Sequence, residues 1–139
     1  MSKSNQKMDF LTDLVTKTID DGCSKLVSPL QFYSKSLKRV IEVPAGFCTD
    51  GASVPRLPII YLAVGGRARR AACIHDYLYA THETRSRRQA DIVFLEGMKV
   101  DGVSLWAREL MYAGVRAGGL ISWSDGPARY AAIQRLQNP

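Results

Sequence analysis

Between residues 25 and 47 the apolar positions Leu26, Val27, Leu30, Phe32, Tyr33, Val40, Ile41 and Val43 fall in short runs broken by Pro29, Ser34, Ser36 and Pro44. Short runs punctuated by turn residues predict two or three antiparallel strands over residues 25–47, turning near Ser34-Lys35-Ser36, with Pro44 at a strand end or edge. Residues 8–21 carry Phe10, Leu11, Leu14 and Val15 among Asp and Thr. That weak amphipathicity predicts a short helix or an arm within residues 1–24. Downstream the period lengthens. Residues 68–81 and 86–100 each hold apolar side chains at helical spacing, joined by a polar link of Arg, Thr and Ser. Leu105, Trp106, Leu110, Met111 and Val115 place a third helix over residues 104–117, ended by Gly118-Gly119. In the tail, residues 120–139, Trp123, Tyr130, Ile133 and Leu136 predict a short helix starting near Ser124-Asp125-Gly126-Pro127, with Asp125 as its cap. The expected fold class is α+β: short N-terminal antiparallel strands, then an antiparallel helical hairpin and a third helix, in one domain of residues 1–139.

The hairpin carries the candidate chemistry. Its first helix contains Cys73-Ile74-His75-Asp76-Tyr77-Leu78-Tyr79, and its second contains Ala90-Asp91-Ile92-Val93-Phe94-Leu95-Glu96-Gly97-Met98. With the turn centred near Glu83, His75 and Asp91 lie almost equally far from it, so antiparallel pairing sets an imidazole beside a carboxylate. A carboxylate that accepts one ring N–H fixes the tautomer and leaves the other nitrogen as a general base. Asp76 remains for a metal ion. Residues 48–67 read as a loop, through Asp50-Gly51, Pro55 and Pro58. A hard cation unites loop and helix, because Asp50, a carbonyl made approachable by Gly51, and Asp76 are all oxygen donors of the kind calcium takes. His82-Glu83 belongs to the hairpin turn, and a zinc pair of His82 with His75 is disfavoured because no third ligand falls at metal spacing.

With 139 residues and 46% hydrophobic content, the chain has the size and the apolar side chains to bury one core. A formal charge of +6 and a pI near 9.4 imply an anionic partner, without separating phospholipid head groups from nucleic acid. Arg67, Arg69, Arg70, Arg85, Arg87 and Arg88 crowd the hairpin. Aromatic residues are not interleaved with them, which argues against a single-strand nucleic-acid surface. The polar start Met1-Ser2-Lys3-Ser4-Asn5-Gln6-Lys7 is followed by no apolar run, so no signal peptide is expected. No transmembrane segment is expected either, since the longest apolar stretch is short and holds Pro58. These features predict a chain that begins life in the cytoplasm. An odd count of cysteines, Cys23, Cys48 and Cys73, then predicts no disulfide among them. Trp106 and Trp123 are expected in the core.

The residues Thr49-Asp50-Gly51, then Ala72-Cys73 with His75-Asp76 and Tyr79, then Ser86-Arg87 with Asp91, Phe94 and Met98, and finally Met111-Tyr112-Ala113-Gly114-Val115-Arg116 with Gly118, resemble the phospholipase A2 superfamily, closest to its small prokaryotic type. The order Thr-Asp-Gly-Ala-Ser-Val-Pro, His-Asp-x-x-Tyr, Ala-Asp-x-x-Phe also resembles an uncharacterised family of phage and prophage proteins. The resemblance covers residues 47–119 and leaves the strands over 25–47 without a counterpart. It implies a catalytic core over residues 68–119 and a metal-binding loop over 48–67. By position it implies His75 as base, Asp91 as its orienter, Asp50, Asp76 and the Gly51 carbonyl as calcium ligands, and Tyr79 as a further donor to Asp91. The implied function is a calcium-dependent lipid ester hydrolase of phage or prophage origin. It would act on membrane phospholipid during lysis or on entering the host. The alternative is a virion or assembly protein that keeps the helical scaffold without turnover and binds other virion proteins. The phage resemblance adds the virion to the host cytoplasm as the other expected location.

Overall fold

Alternation of apolar and polar side chains builds the centre of the β half. In β4 (Leu30–Ser34) and β5 (Arg39–Val43), Leu30, Phe32, Ser34, Ile41 and Val43 face inward. The computed structural model describes residues 7–18, 23–49 and 67–137, and all that follows concerns these. β4 pairs antiparallel with β5 across the turn at residues 35–38, where Lys38 takes a left-handed φ of 56°. β1 (Asp9–Phe10) adds to the other edge of β4, giving the order β1-β4-β5. A second small antiparallel sheet holds β2 (Thr16–Thr18), β3 (Ser24–Leu26) and β6 (Cys48–Thr49) in the order β2-β3-β6.

The α half begins with α1 (Arg69–Thr81) and α2 (Arg87–Val100). These pair antiparallel: Ala71 near the start of α1 approaches Gly97 near the end of α2, and His75 meets Asp91 between them. Ser86 caps α2 by accepting the Gln89 N–H, while Gln89 Oε1 accepts the Arg85 N–H, a reciprocal pair that explains why the helix starts there. α3 (Leu105–Gly118) packs against α2, and α4 (Leu120–Gln137) against α1. One core cluster lies between the β4–β5 layer and the hairpin, with Phe32, Ile41, Ile74, Leu78 and Val93 at its heart. A second lies between the hairpin and α3, with Phe94, Met98, Ala107, Met111 and Val115. Glu96 on α2 pins the halves together, accepting hydrogen bonds from Ser34 Oγ at 2.7 Å and from Ser36 N and Oγ at 3.0 and 2.8 Å.

The α+β class and the strand–hairpin–helix order match the reading of the sequence, and four details differ from it. Within the stretch 8–21, the described residues 8–18 form neither helix nor loose arm but the strands β1 and β2 with their link. Only Phe10 among their apolar residues is buried, against Phe32 at 4.6 Å between ring centroids, and a single inward side chain suits a strand edge better than a helical stripe. Trp106 is 55% exposed rather than in the core, whereas Trp123 is packed as expected.

The tail is the third difference. α4 runs from Leu120 and is not capped at Asp125, because Pro127 lies inside it. Proline lacks the N–H that would bond the carbonyl four residues back, that of Trp123. His82 supplies the missing donor: its Nε2 lies 2.7 Å from the Trp123 oxygen, and its ring stacks on the indole at 3.7 Å. His82 is also the left-handed C-cap of α1 (φ 54°), so one side chain ends one helix and repairs the other. Gly126 allows the crossing, since a Cβ there would overlap the Tyr79 carbonyl.

The fourth difference is the cysteines. Antiparallel pairing of β3 with β6 brings Cys23 and Cys48 to a Cα separation of 5.7 Å, and they form a disulfide; Cys73 is buried and unpaired. The expectation of three thiols rested on compartment and parity, and neither reports strand register. Among the described residues, no helix is long and apolar enough to cross a membrane.

Two outcomes follow from this architecture. Thiol titration of the denatured, non-reduced protein should find one free group, and reduction of the disulfide should lower stability by about 3 kcal/mol in a denaturant melt. Gly126→Ala should cost about 1–3 kcal/mol by the same melt, through overpacking of α4 on α1.

Candidate active site

Asp91 is the centre of the site. It projects from the first half of α2 into the hairpin seam and is 0% exposed. Its Oδ1 lies 2.7 Å from His75 Nε2 and accepts the Tyr79 hydroxyl at 2.6 Å. Its Oδ2 accepts Nη1 of Arg116 at 2.8 Å and Nη1 of Arg87 at 3.3 Å. Burial alone would push this carboxyl up. The donors from His75, Tyr79 and Arg116 outweigh it, and the group is held below the usual carboxylate range.

His75 and Tyr79 reach Asp91 from one face of α1, one helical turn apart. The His75 ring is 0% exposed and lies between Tyr79 and Phe94, at 4.2 and 4.7 Å between centroids. Because Nε2 faces the carboxylate, the proton belongs there and the lone pair falls on Nδ1. Nδ1 is buried and has no hydrogen-bond partner among the described residues. Burial and the bond to Asp91 push the Tyr79 phenol up, keeping it a donor rather than a base. Chemically, the arrangement is an oriented imidazole whose second nitrogen is buried and holds no hydrogen bond among the described residues.

Asp76 follows His75 on α1 but turns to β6, where its Oδ2 accepts the Thr49 hydroxyl at 2.5 Å. Asp50 and Gly51, the other expected calcium ligands, lie outside the described residues. Among the described residues, no three His, Cys, Asp or Glu side chains converge as a metal-binding group. His82, engaged with Trp123, is not part of the site. A cleft of about 440 Å³ lined by Asp13, Leu14, Thr16, Arg69 and Arg70 includes none of the residues around Asp91.

Sequence reasoning placed His75, Asp91 and Tyr79 together and the structure does the same. It counted Arg87 only among the arginines that crowd the hairpin and gave Arg116 no contact. Arg87 stands four residues before Asp91, a helical spacing that signals an ion pair. Arg116 had no local signal, since its contact spans 25 residues. Arg70 is also turned inward, both Nε and Nη2 on Asp101 Oδ1 and its guanidinium 4.2 Å over the Phe10 ring.

Comparison with known proteins corrects the resemblance drawn from these motifs. No phospholipase A2 family or structural neighbour is found, and the chain is not assigned to that superfamily. The physical reason is that a His and an Asp facing each other across a helical hairpin is a short-range geometry open to unrelated folds, while the two sheets have no place in that comparison. No curated protein and no solved structure matches the chain. One family model matches residues 24–115, from β3 through most of α3, and so includes His75, Tyr79, Arg87 and Asp91. The chain belongs to the family described as protein of unknown function (DUF1353).

Proposed function

We propose that this chain is an ester hydrolase in which His75 Nδ1 takes a proton from water while Asp91 holds the ring by its Nε2–H. The observation that carries the reading is the pairing of His75 Nε2 with a buried, ionised Asp91 at 2.7 Å, with Nδ1 left without a partner among the described residues. In such a step water gives its proton to Nδ1 and its oxygen attacks the ester carbonyl. The imidazolium then returns the proton to the leaving alkoxide. Membrane lipid is the substrate class to test first. Two features favour it: the +6 charge, and the exposed Leu105, Trp106 and Leu110 on α3 and Leu120 and Ile121 on α4. Calcium at Asp76, with Asp50 and the Gly51 carbonyl, would polarise the carbonyl and is part of the same proposal.

A second reading, a binding or assembly protein without turnover, is favoured by a different observation. His75 and Asp91 are both 0% exposed and Asp91 receives four donors, which is also how a purely structural polar network is satisfied.

Incubation of the full chain with phosphatidylglycerol vesicles, with calcium or with chelator, separates the two. Fatty-acid release is expected, and binding without release at any calcium concentration would leave the assembly reading. Asp91→Asn should lower release about 10²–10⁴-fold, because an amide admits the wrong tautomer. His75→Gln should abolish it. Asp76→Asn should remove activity together with its calcium dependence.

Acid should act on fold and activity through the same carboxyl. Since Asp91 is held below its unfolded value, its contribution to stability is complete above the ordinary Asp value of about 4 and is lost as pH falls through the folded value. Acid unfolding followed by circular dichroism should therefore begin below about pH 4 in the natural chain. Asp91→Asn should lack that acid-dependent component.

A further inference from the structure

We propose that Arg116, a residue on the last turn of α3, is a positioning residue that sets the orientation of the Asp91 carboxylate and, through it, the tautomer of His75. The inference rests on His75 acting as the base, but its signature is separate from turnover.

Arg116 Nη1 meets Asp91 Oδ2 at 2.8 Å, and Arg87 Nη1 meets the same oxygen at 3.3 Å. Arg87 also donates to the carbonyls of Val115, at 2.8 Å, and of Arg116, at 3.1 Å. The backbone of Arg116 is thus fixed by the residue that shares its carboxylate oxygen, and the contacts close a ring: Asp91, Arg87, the Arg116 carbonyl, the Arg116 guanidinium, Asp91. A carboxylate can turn about its broad terminal torsion, and a setting that takes both oxygens off Nε2 removes the acceptor that fixes the tautomer. Charge-assisted bonds on Oδ2 oppose that turn and reserve Oδ1 for His75 and Tyr79.

The helix itself does not require this geometry. A cation in the last turn of α3 would favour the helix dipole from solvent as well. Arg116 instead turns inward, with only 33% of its side chain exposed. Gly119 lets the chain leave α3 at this spot, since a Cβ there would stand 2.6 Å from the Tyr79 hydroxyl and 3.2 Å from Arg87 Nη1.

The test is ¹⁵N NMR of the His75 ring in the full chain, run beside vesicle hydrolysis. The natural protein should show Nδ1 unprotonated and Nε2 protonated. Arg116→Gln should show a mixture of tautomers and about a tenfold loss of hydrolysis, the scale of one weakened charge-assisted bond. Arg116→Lys keeps the charge on a single donor and should fall between the two; it carries the test by itself if the glutamine variant does not fold. An unaltered Nε2–H signature in the folded variants overturns the proposal. A tautomer change in a protein that releases no fatty acid supports the positioning role and removes the general-base reading.

Discussion

A carboxylate sealed from water must be solvated by the protein, and in this chain that requirement falls on Asp91. Water's share of the work is taken over by an imidazole, a phenol and two guanidiniums, and these come from α1, α2 and α3. The helices cannot shift against one another without leaving the charge short of donors, a cost of about 3–5 kcal/mol on top of the loss of apolar contacts. The same constraint makes the site rigid. Each oxygen of Asp91 is held by two donors, so both the seam between the hairpin helices and the ring of His75 have one arrangement rather than several.

The remaining elements attach to this seam by equally specific polar devices. α4 is fastened at the turn of the hairpin, where the carbonyl freed by Pro127 takes the ring of His82. β6 touches the helix beside the dyad through Thr49 and Asp76, and the neighbouring Cys48 ties that strand to Cys23. Apolar burial supplies the bulk of the attraction between layers, and these bonds decide which residues face each other.

What was legible in the sequence was whatever depended on short-range pattern. Helical spacing around His75 and Asp91 and the short link between their helices sufficed to set the two side chains level, and the prolines and serines around residues 29–44 marked β4 and β5. What depended on distant partners was not legible. Asp9 and Phe10 form a strand only because Phe32 and Tyr33 offer an edge, and Cys23 meets Cys48 only through the pairing of β3 with β6. Pro127 read as a helix start because its local effect is to break a ladder; the distant histidine that repairs the break has no signature beside it. The motifs themselves misled on family, since a dyad across a hairpin does not identify the fold that carries it.

The separation along the chain of the polar links has a kinetic side. Every bond to Asp91 spans 25 residues or fewer, and the grip of Arg87 on α3 spans 29. The bonds of Glu96 to Ser34 and Ser36 span 62 and 60. Loop-closure entropy therefore favours a folding order in which the helices gather around Asp91 first and the β4–β5 turn docks on Glu96 afterwards. Higher φ-values at hairpin contacts such as Ala90 than at Ser34 would mark that order, and the reverse would refute it. In that sequence of events the candidate site is the nucleus on which the rest of the molecule condenses, so substitutions within it would slow folding, while those at the Glu96 clasp would hasten unfolding.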